Sequence, residues 1–108
     1  MRIGSLRHRI TIQKFDKIDD GGGGYVNDWV DVTTISASVS PLQGKERYEA
    51  QQIQSTLSHK IKMRYLAGIL PTMRVLYGSR IFNIISVIDP SERHRELEFL
   101  CEEVIVSG

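Results

Sequence analysis

From Leu57 to Tyr65 the chain alternates without a break. Leu57, His59, Ile61, Met63 and Tyr65 share one phase, and Ser58, Lys60, Lys62 and Arg64 the other. Successive side chains of a strand point to opposite faces, so this period of two predicts a half-buried β-strand. The same period recurs at Arg7–Phe15, with His8, Ile10 and Ile12 on one side and Arg9, Thr11 and Gln13 on the other. It recurs again over Tyr25–Ser40, where Trp29, Asp31, Thr33, Ile35, Ala37 and Val39 fall in one phase. Pro41 ends that strand because proline has no N–H to give a ladder.

The C-terminal half is also extended. Met73–Tyr77 and Arg80–Ile88 flank Gly78-Ser79, a dipeptide suited to a two-residue hairpin with glycine at positive φ. Ile81 to Ile88 is apolar on both parities, as expected of a strand covered on both faces. After a turn at Asp89-Pro90-Ser91, a last strand is expected from about Arg95 to Val106. There Leu97, Phe99 and Cys101 keep one phase and Val104 and Val106 the other, so a bulge is expected near Glu102.

Two segments break the pattern. Asp16 to Gly24 ends in four consecutive glycines, whose backbone freedom opposes regular structure, and predicts a flexible loop or hairpin tip. Gln43 to Gln54 loses the β-branched residues and gains Lys, Glu, Arg, Ala and Gln, which predicts a short helix. Its apolar stripe is only Tyr48, Ala50 and Ile53, too little to hold it against its own core. Strands joined by turns without long helical crossovers give a mainly β chain. The expected fold is a small antiparallel β-barrel of about six strands, with one short inserted helix and a flexible Gly-rich loop. At 108 residues the chain is expected to form a single domain, 1–108.

Chemistry is conspicuous by what the spacing denies. Gly24 is followed by Tyr25 and Val26 rather than by the Lys and Ser/Thr of a phosphate loop. His8, His59 and His94 are dispersed without a Cys or carboxylate at metal-ligand spacing, so neither a metal nor a cofactor is expected. Cys101, the single cysteine, is flanked by Glu102 and Glu103 and reads as a small buried strand residue. Glu96, Glu98, Glu102 and Glu103 could pair as acid and base but read as solvating groups. No apolar run is long enough to cross a bilayer, and Met1 to Leu6 lacks a secretory pattern, so no membrane is expected. An enzyme is not expected.

Net charge is only +1, but it is unevenly spread. Residues 45–80 carry seven cations against Glu46 and Glu49, and residues 81–108 carry two against six anions. Such separation suits packing of copies, basic patch on acidic patch. Lys60, Lys62 and Arg64 would form a positive ridge along one strand face. It could contact phosphate non-specifically, or simply protect an edge strand from aggregation.

The run Pro41-Leu42-Gln43-Gly44-Lys45-Glu46-Arg47-Tyr48-Glu49-Ala50-Gln51-Gln52-Ile53-Gln54 resembles the phage head–tail joining family, also called head–tail adaptors or head completion (stopper) proteins. The resemblance extends back through Leu6–Gln13 and the glycine loop to Trp29, and forward through Met73–Gly78 and Arg80–Ile84. It implies a virion neck protein assembled in the host bacterial cytoplasm. Its partners would be copies of itself in a ring, often a dodecamer, with portal or adaptor proteins above and a tail completion protein below. Arg47, Tyr48, Gln51 and Gln52 are then expected at a subunit or channel interface. Asp19, Asp20, Gly22, Gly23 and Tyr25 are expected to reach a partner ring. Lys60, Lys62 and Arg64 are expected to meet packaged DNA or a neighbour's acidic strand. The competing expectation is a monomeric OB-like nucleic-acid-binding barrel.

Overall fold

A computed structural model describes residues 7–89 and 92–104. Its elements are β1 (His8–Asp19), β2 (Tyr25–Pro41), α1 (Gly44–Ile53), β3 (His59–Arg64), β4 (Arg74–Tyr77), β5 (Arg80–Ile88) and β6 (Glu96–Val104). The strands close into a barrel in the order β1-β2-β3-β6-β5-β4, with every pairing antiparallel. The predicted six-stranded barrel with one short helix is therefore the observed one. An OB barrel is five-stranded and partly open, and this barrel is neither.

The inward phase of each strand builds the core. Ile10, Ile12, Ala37, Ile61, Met63, Val75, Phe82, Ile84, Leu97, Phe99 and Cys101 are all buried. No charged side chain is buried among the described residues. Gly78 carries φ +60° in the two-residue turn that sets Tyr77 opposite Arg80. An L-residue there would be forced into the left-handed region.

Four features depart from the sequence reading. The strands of the first hairpin run on to Asp19 and resume at Tyr25, so the loop shrinks from 16–24 to Asp20–Gly24. Pairing between β1 and β2 also shifts register: Ile12 faces Thr33 while Gln13 faces Asp31, which leaves Val32 as the extra residue. That bulge flips the phase of β2, so Trp29 and Asp31 lie on the outer face although they share parity with the buried Ala37. A second shift, between Ile84 and Ser86, places the C-terminal bulge in β5 at Ile85. β6 stays regular through Glu102 and Glu103, which face Asn83 and Phe82. Finally, β3 is paired on both sides, to β2 and β6, so its lysines do not guard an edge. Pro90, Ser91 and Val106 lie outside the described residues.

The bulge at Ile85 explains why β5 is apolar on both parities. Phe82 and Ile84 point into the barrel, whereas Ile85 turns outward under α1. There Ile85 and Leu100 pack against a second, smaller cluster of Leu42, Ala50 and Leu57.

Candidate functional site

Three regions carry the residues singled out in the sequence: the α1 segment, the tip of the first hairpin, and the outer face of β3. The structure brings the first and third together and leaves the second apart.

α1 forms where the helix-forming run predicts it, with Gln43 and Gln54 as its caps. Its anchorage is thin. Ala50 is its one buried residue, Tyr48 is 67% exposed and Ile53 is 80% exposed. Three polar ties add to Ala50. Gln51 Nε2 donates to the Leu57 carbonyl at 3.1 Å, Gln54 Nε2 donates to Glu102 Oε2 at 3.4 Å, and Glu46 forms an ion pair with Lys60. Lys45 and Glu49, one turn apart on α1, pair at 3.7 Å but are well exposed, so the pair contributes little. Arg47, Tyr48 and Gln52 present their side chains to solvent.

Under the helix the basic ridge meets its counter-charges within the same chain. β3 pairs with β6 in a register that sets Lys62 opposite Glu98 and Arg64 opposite Glu96. Lys62 Nζ lies 3.3 Å from Glu98, and Lys60 reaches up to Glu46 on α1. Arg64 is exposed and forms no ion pair of its own among the described residues. The basic and acidic segments, separate in sequence, are adjacent strands of one sheet. A shallow groove of about 240 Å³ opens beside these pairs, floored by Ala50, Ile53, Ile88 and Leu100 and edged by Glu46, Glu49, Glu98 and Lys60. Sequence reading missed this groove; its only sequence signal was Ile53, a large apolar residue on a helix with little core.

At the hairpin tip the acidic residues organise the glycines. Asp20 Oδ1 accepts the Gly22 N–H at 2.8 Å and the Gly24 N–H at 3.1 Å, and Asp19 Oδ1 accepts the Gly21 N–H at 2.8 Å. Gly21 and Gly23 take positive φ. Tyr25, at the base of the turn, is 72% exposed.

One further cluster sits at a barrel mouth. Arg80 forks onto Glu103 at 2.9 and 3.0 Å and reaches His59 Nε2 at 3.2 Å. His59 Nδ1 lies 2.8 Å from Ser58 Oγ. This contact does not make a nucleophile. With Nε2 accepting from the guanidinium, Nδ1 carries the proton and donates to the serine, so it cannot take the serine's proton. Burial, then the Arg80 charge, hold His59 below the usual 6.5, with Glu103 opposing. Glu103 itself is lowered, chiefly by its hydrogen bond from Arg80. Burial pushes the Cys101 thiol up to about 12, which leaves it without thiolate character. No group of three or more His, Cys, Asp or Glu able to hold a metal occurs among the described residues.

His59 supplies a pH test. Its folded pKa is depressed, so as pH falls the unfolded chain takes the proton first. The stability it contributes is complete above about 6.5 and is lost as pH drops through the folded pKa. Between pH 7 and pH 5, His59→Gln should lose less stability than the parent, measured by urea denaturation at each pH. Equal losses would show that His59 is not the group responsible.

Comparison with known proteins places these features in context. Residues 1–104 match the family model described as phage head completion protein. The chain is 37% identical over 76 residues to head completion protein gp16 of Bacillus phage SPP1, which covers 70% of each chain. Among solved structures, it superposes on a solution structure of a Shigella flexneri 2a protein with a TM-score of 0.71 and 33% identity, covering 95% of this chain and 96% of that one. It also superposes on a chain from the virion of a native gene transfer agent particle, with a TM-score of 0.58 and 24% identity, covering 94% and 97%. The second likeness is one of fold.

Proposed function

The chain belongs to the phage head completion protein family, and from that membership we propose that it forms a ring joining the DNA-filled capsid to the tail, with α1 at the subunit or channel interface. It is a structural virion protein rather than an enzyme. The observation that carries the finer reading is the contrast between a closed barrel and the segment 43–55 inserted between two of its strands. The barrel is held by a continuous core, whereas the insertion holds one buried alanine and three polar ties. Segments with few buried contacts are the least costly to rearrange. On this reading the segment leaves its seat on assembly, and Arg47, Tyr48, Gln51 and Gln52 bond across subunits.

Portal or adaptor proteins would lie above the ring and a tail completion protein below, with the Asp19–Tyr25 tip reaching one of them. Arg64 would lead any contact with packaged DNA, because Lys60 and Lys62 are engaged with Glu46 and Glu98. Such contact would be non-specific and would weaken with salt. The test is particle assembly with the gene disrupted, viewed by electron microscopy. Filled or leaking heads beside complete free tails are expected. Normally joined particles would overturn the reading.

A further inference from the structure

The first hairpin outruns the barrel. β1 pairs with β4 only over Thr11–Gln13, and β2 pairs with β3 only over Ala37–Pro41. From Lys14 opposite Val30 to Asp19 opposite Tyr25, six residue pairs therefore have no further strand beside them among the described residues, about 17–20 Å of ribbon. Both outer edges of this ribbon are unpaired among the described residues: β1 over residues 14–19 and β2 over residues 25–36. An open edge is a template for another strand, and the charges it carries restrict which strand can add to it. The single bulge here lies at Val32, near the root.

The side chains on these strands are those of a covered surface. Of the nine large apolar residues exposed among the described ones, Phe15, Tyr25, Val26 and Val32 lie on this hairpin. Phe15 and Trp29 meet edge to face at 5.2 Å, and Arg74 caps Trp29 at 4.1 Å, its Nε bonded to Gln13. The root of the ribbon is thus fixed to β4 while its flanks remain open.

We propose that these two edges pair with each other between copies, the β1 edge of one chain adding to the β2 edge of the next. The proposal deepens the ring reading and rests on it. Charge selects the occupant. The β2 edge carries Asp28 and Asp31 and no cation. The β1 edge carries Lys14 and Lys17 beside Asp16 and Asp19, and because Lys14 is taken by Asp16 it is Lys17 that the edge can offer to a neighbour. Within one chain Asp28 faces Asp16, a like-charge pair that Lys14 relieves on the Asp16 side alone. Lys14 lies 3.3 Å from Asp16, and among the described residues neither Asp28 nor Lys17 forms an ion pair. Geometry agrees. β1 and β2 are antiparallel, so copies related by rotation set β2 antiparallel to the neighbour's β1. The contact uses different surfaces on the two copies, and such contacts close into a ring when the rotation between copies closes.

The experiment compares amide hydrogen exchange of the full chain free in solution and in purified joined particles. Both segments, 14–19 and 25–36, should slow by about tenfold or more in particles. Protection of 25–36 alone would mean that a strand of a different protein docks there, and would overturn pairing between copies. No change in either segment would overturn the site altogether. The ring reading is judged separately, by whether the chain is present in the particles at all. Asp28→Lys supplies a second arm: it should lower the protection of both segments by about tenfold in particles. Unchanged protection would overturn the charge match.

Discussion

Replacing Phe99 with alanine is expected to cost the barrel about 3–5 kcal/mol, close to the limit of what a domain of this size can lose. Phe99 is fully buried on β6, where it faces Ile61 of β3 on one side and Val87 of β5 on the other. Those two neighbours lie on the strands that flank β6, so the ring packs across three adjacent strands of the barrel. Strand ladders on both sides hold the backbone in place, and the cavity left by truncation cannot close by a simple shift. Thermal unfolding followed by far-ultraviolet circular dichroism should show the loss, with a midpoint temperature lower by on the order of 15–30 °C. Ile53→Ala on the exposed face of α1 is the control, and should change stability by no more than about 0.5 kcal/mol. A cost below about 1 kcal/mol for Phe99→Ala would contradict a packed interior.

That core was legible because its signal is local. The phase of Ile61 and Met63, the Gly78-Ser79 turn and the switch to helix-forming residues after Pro41 each depend on neighbours in sequence. What could not be read depends on pairing between distant strands. A one-residue bulge inverts every side chain beyond it, so Trp29 and Asp31 leave the core face because of Val32, in a strand whose alternation gave no sign of it. Likewise Val104 falls out of phase with Cys101 without any bulge in β6. Its change of type reflects a position near the barrel end, beside Arg80 and Glu103. The charge blocks are a third case. Residues 45–80 and 81–108 look like separable patches until β3 and β6 are found side by side, where Lys62 meets Glu98.

The candidate site was legible in the same measure. A polar helix with a weak stripe of Tyr48, Ala50 and Ile53 was evident, and the structure buries Ala50 alone of the three, over Leu42 and Leu57. The seat beneath it was not, since it combines residues from β3, β5, β6 and the helix. This seat alters how the β3 cations can be tested. Reversing Lys60 sets a carboxylate against Glu46 and beside Glu98, so Lys60→Glu would unseat α1 as well as remove a cation. Arg64→Gln leaves that seat alone and avoids the like-charge pair that Arg64→Glu would make with Glu96 on β6, so it is the cleaner probe of contact with DNA.

Leu57→Ala is the substitution that separates the helix from the barrel. Leu57 is buried in the small cluster, its carbonyl accepts from Gln51, and its N–H donates to the Gln54 carbonyl. Truncation should cost about 2–4 kcal/mol, but locally. A ten-residue helix is marginal without tertiary support, so α1 should melt once its seat is hollow. Amides of residues 44–54 would then exchange freely while those of β3, β5 and β6 keep their protection. Helical dichroism would fall while the main unfolding transition moves by less than about 1 kcal/mol, because the larger core is untouched. If α1 must leave its seat during assembly, this variant begins nearer the working state and joined particles should still form. Loss of joined particles with an intact barrel would mean that the docked helix is the working form. The groove beside it, rather than the freed segment, would then be the surface the neck requires.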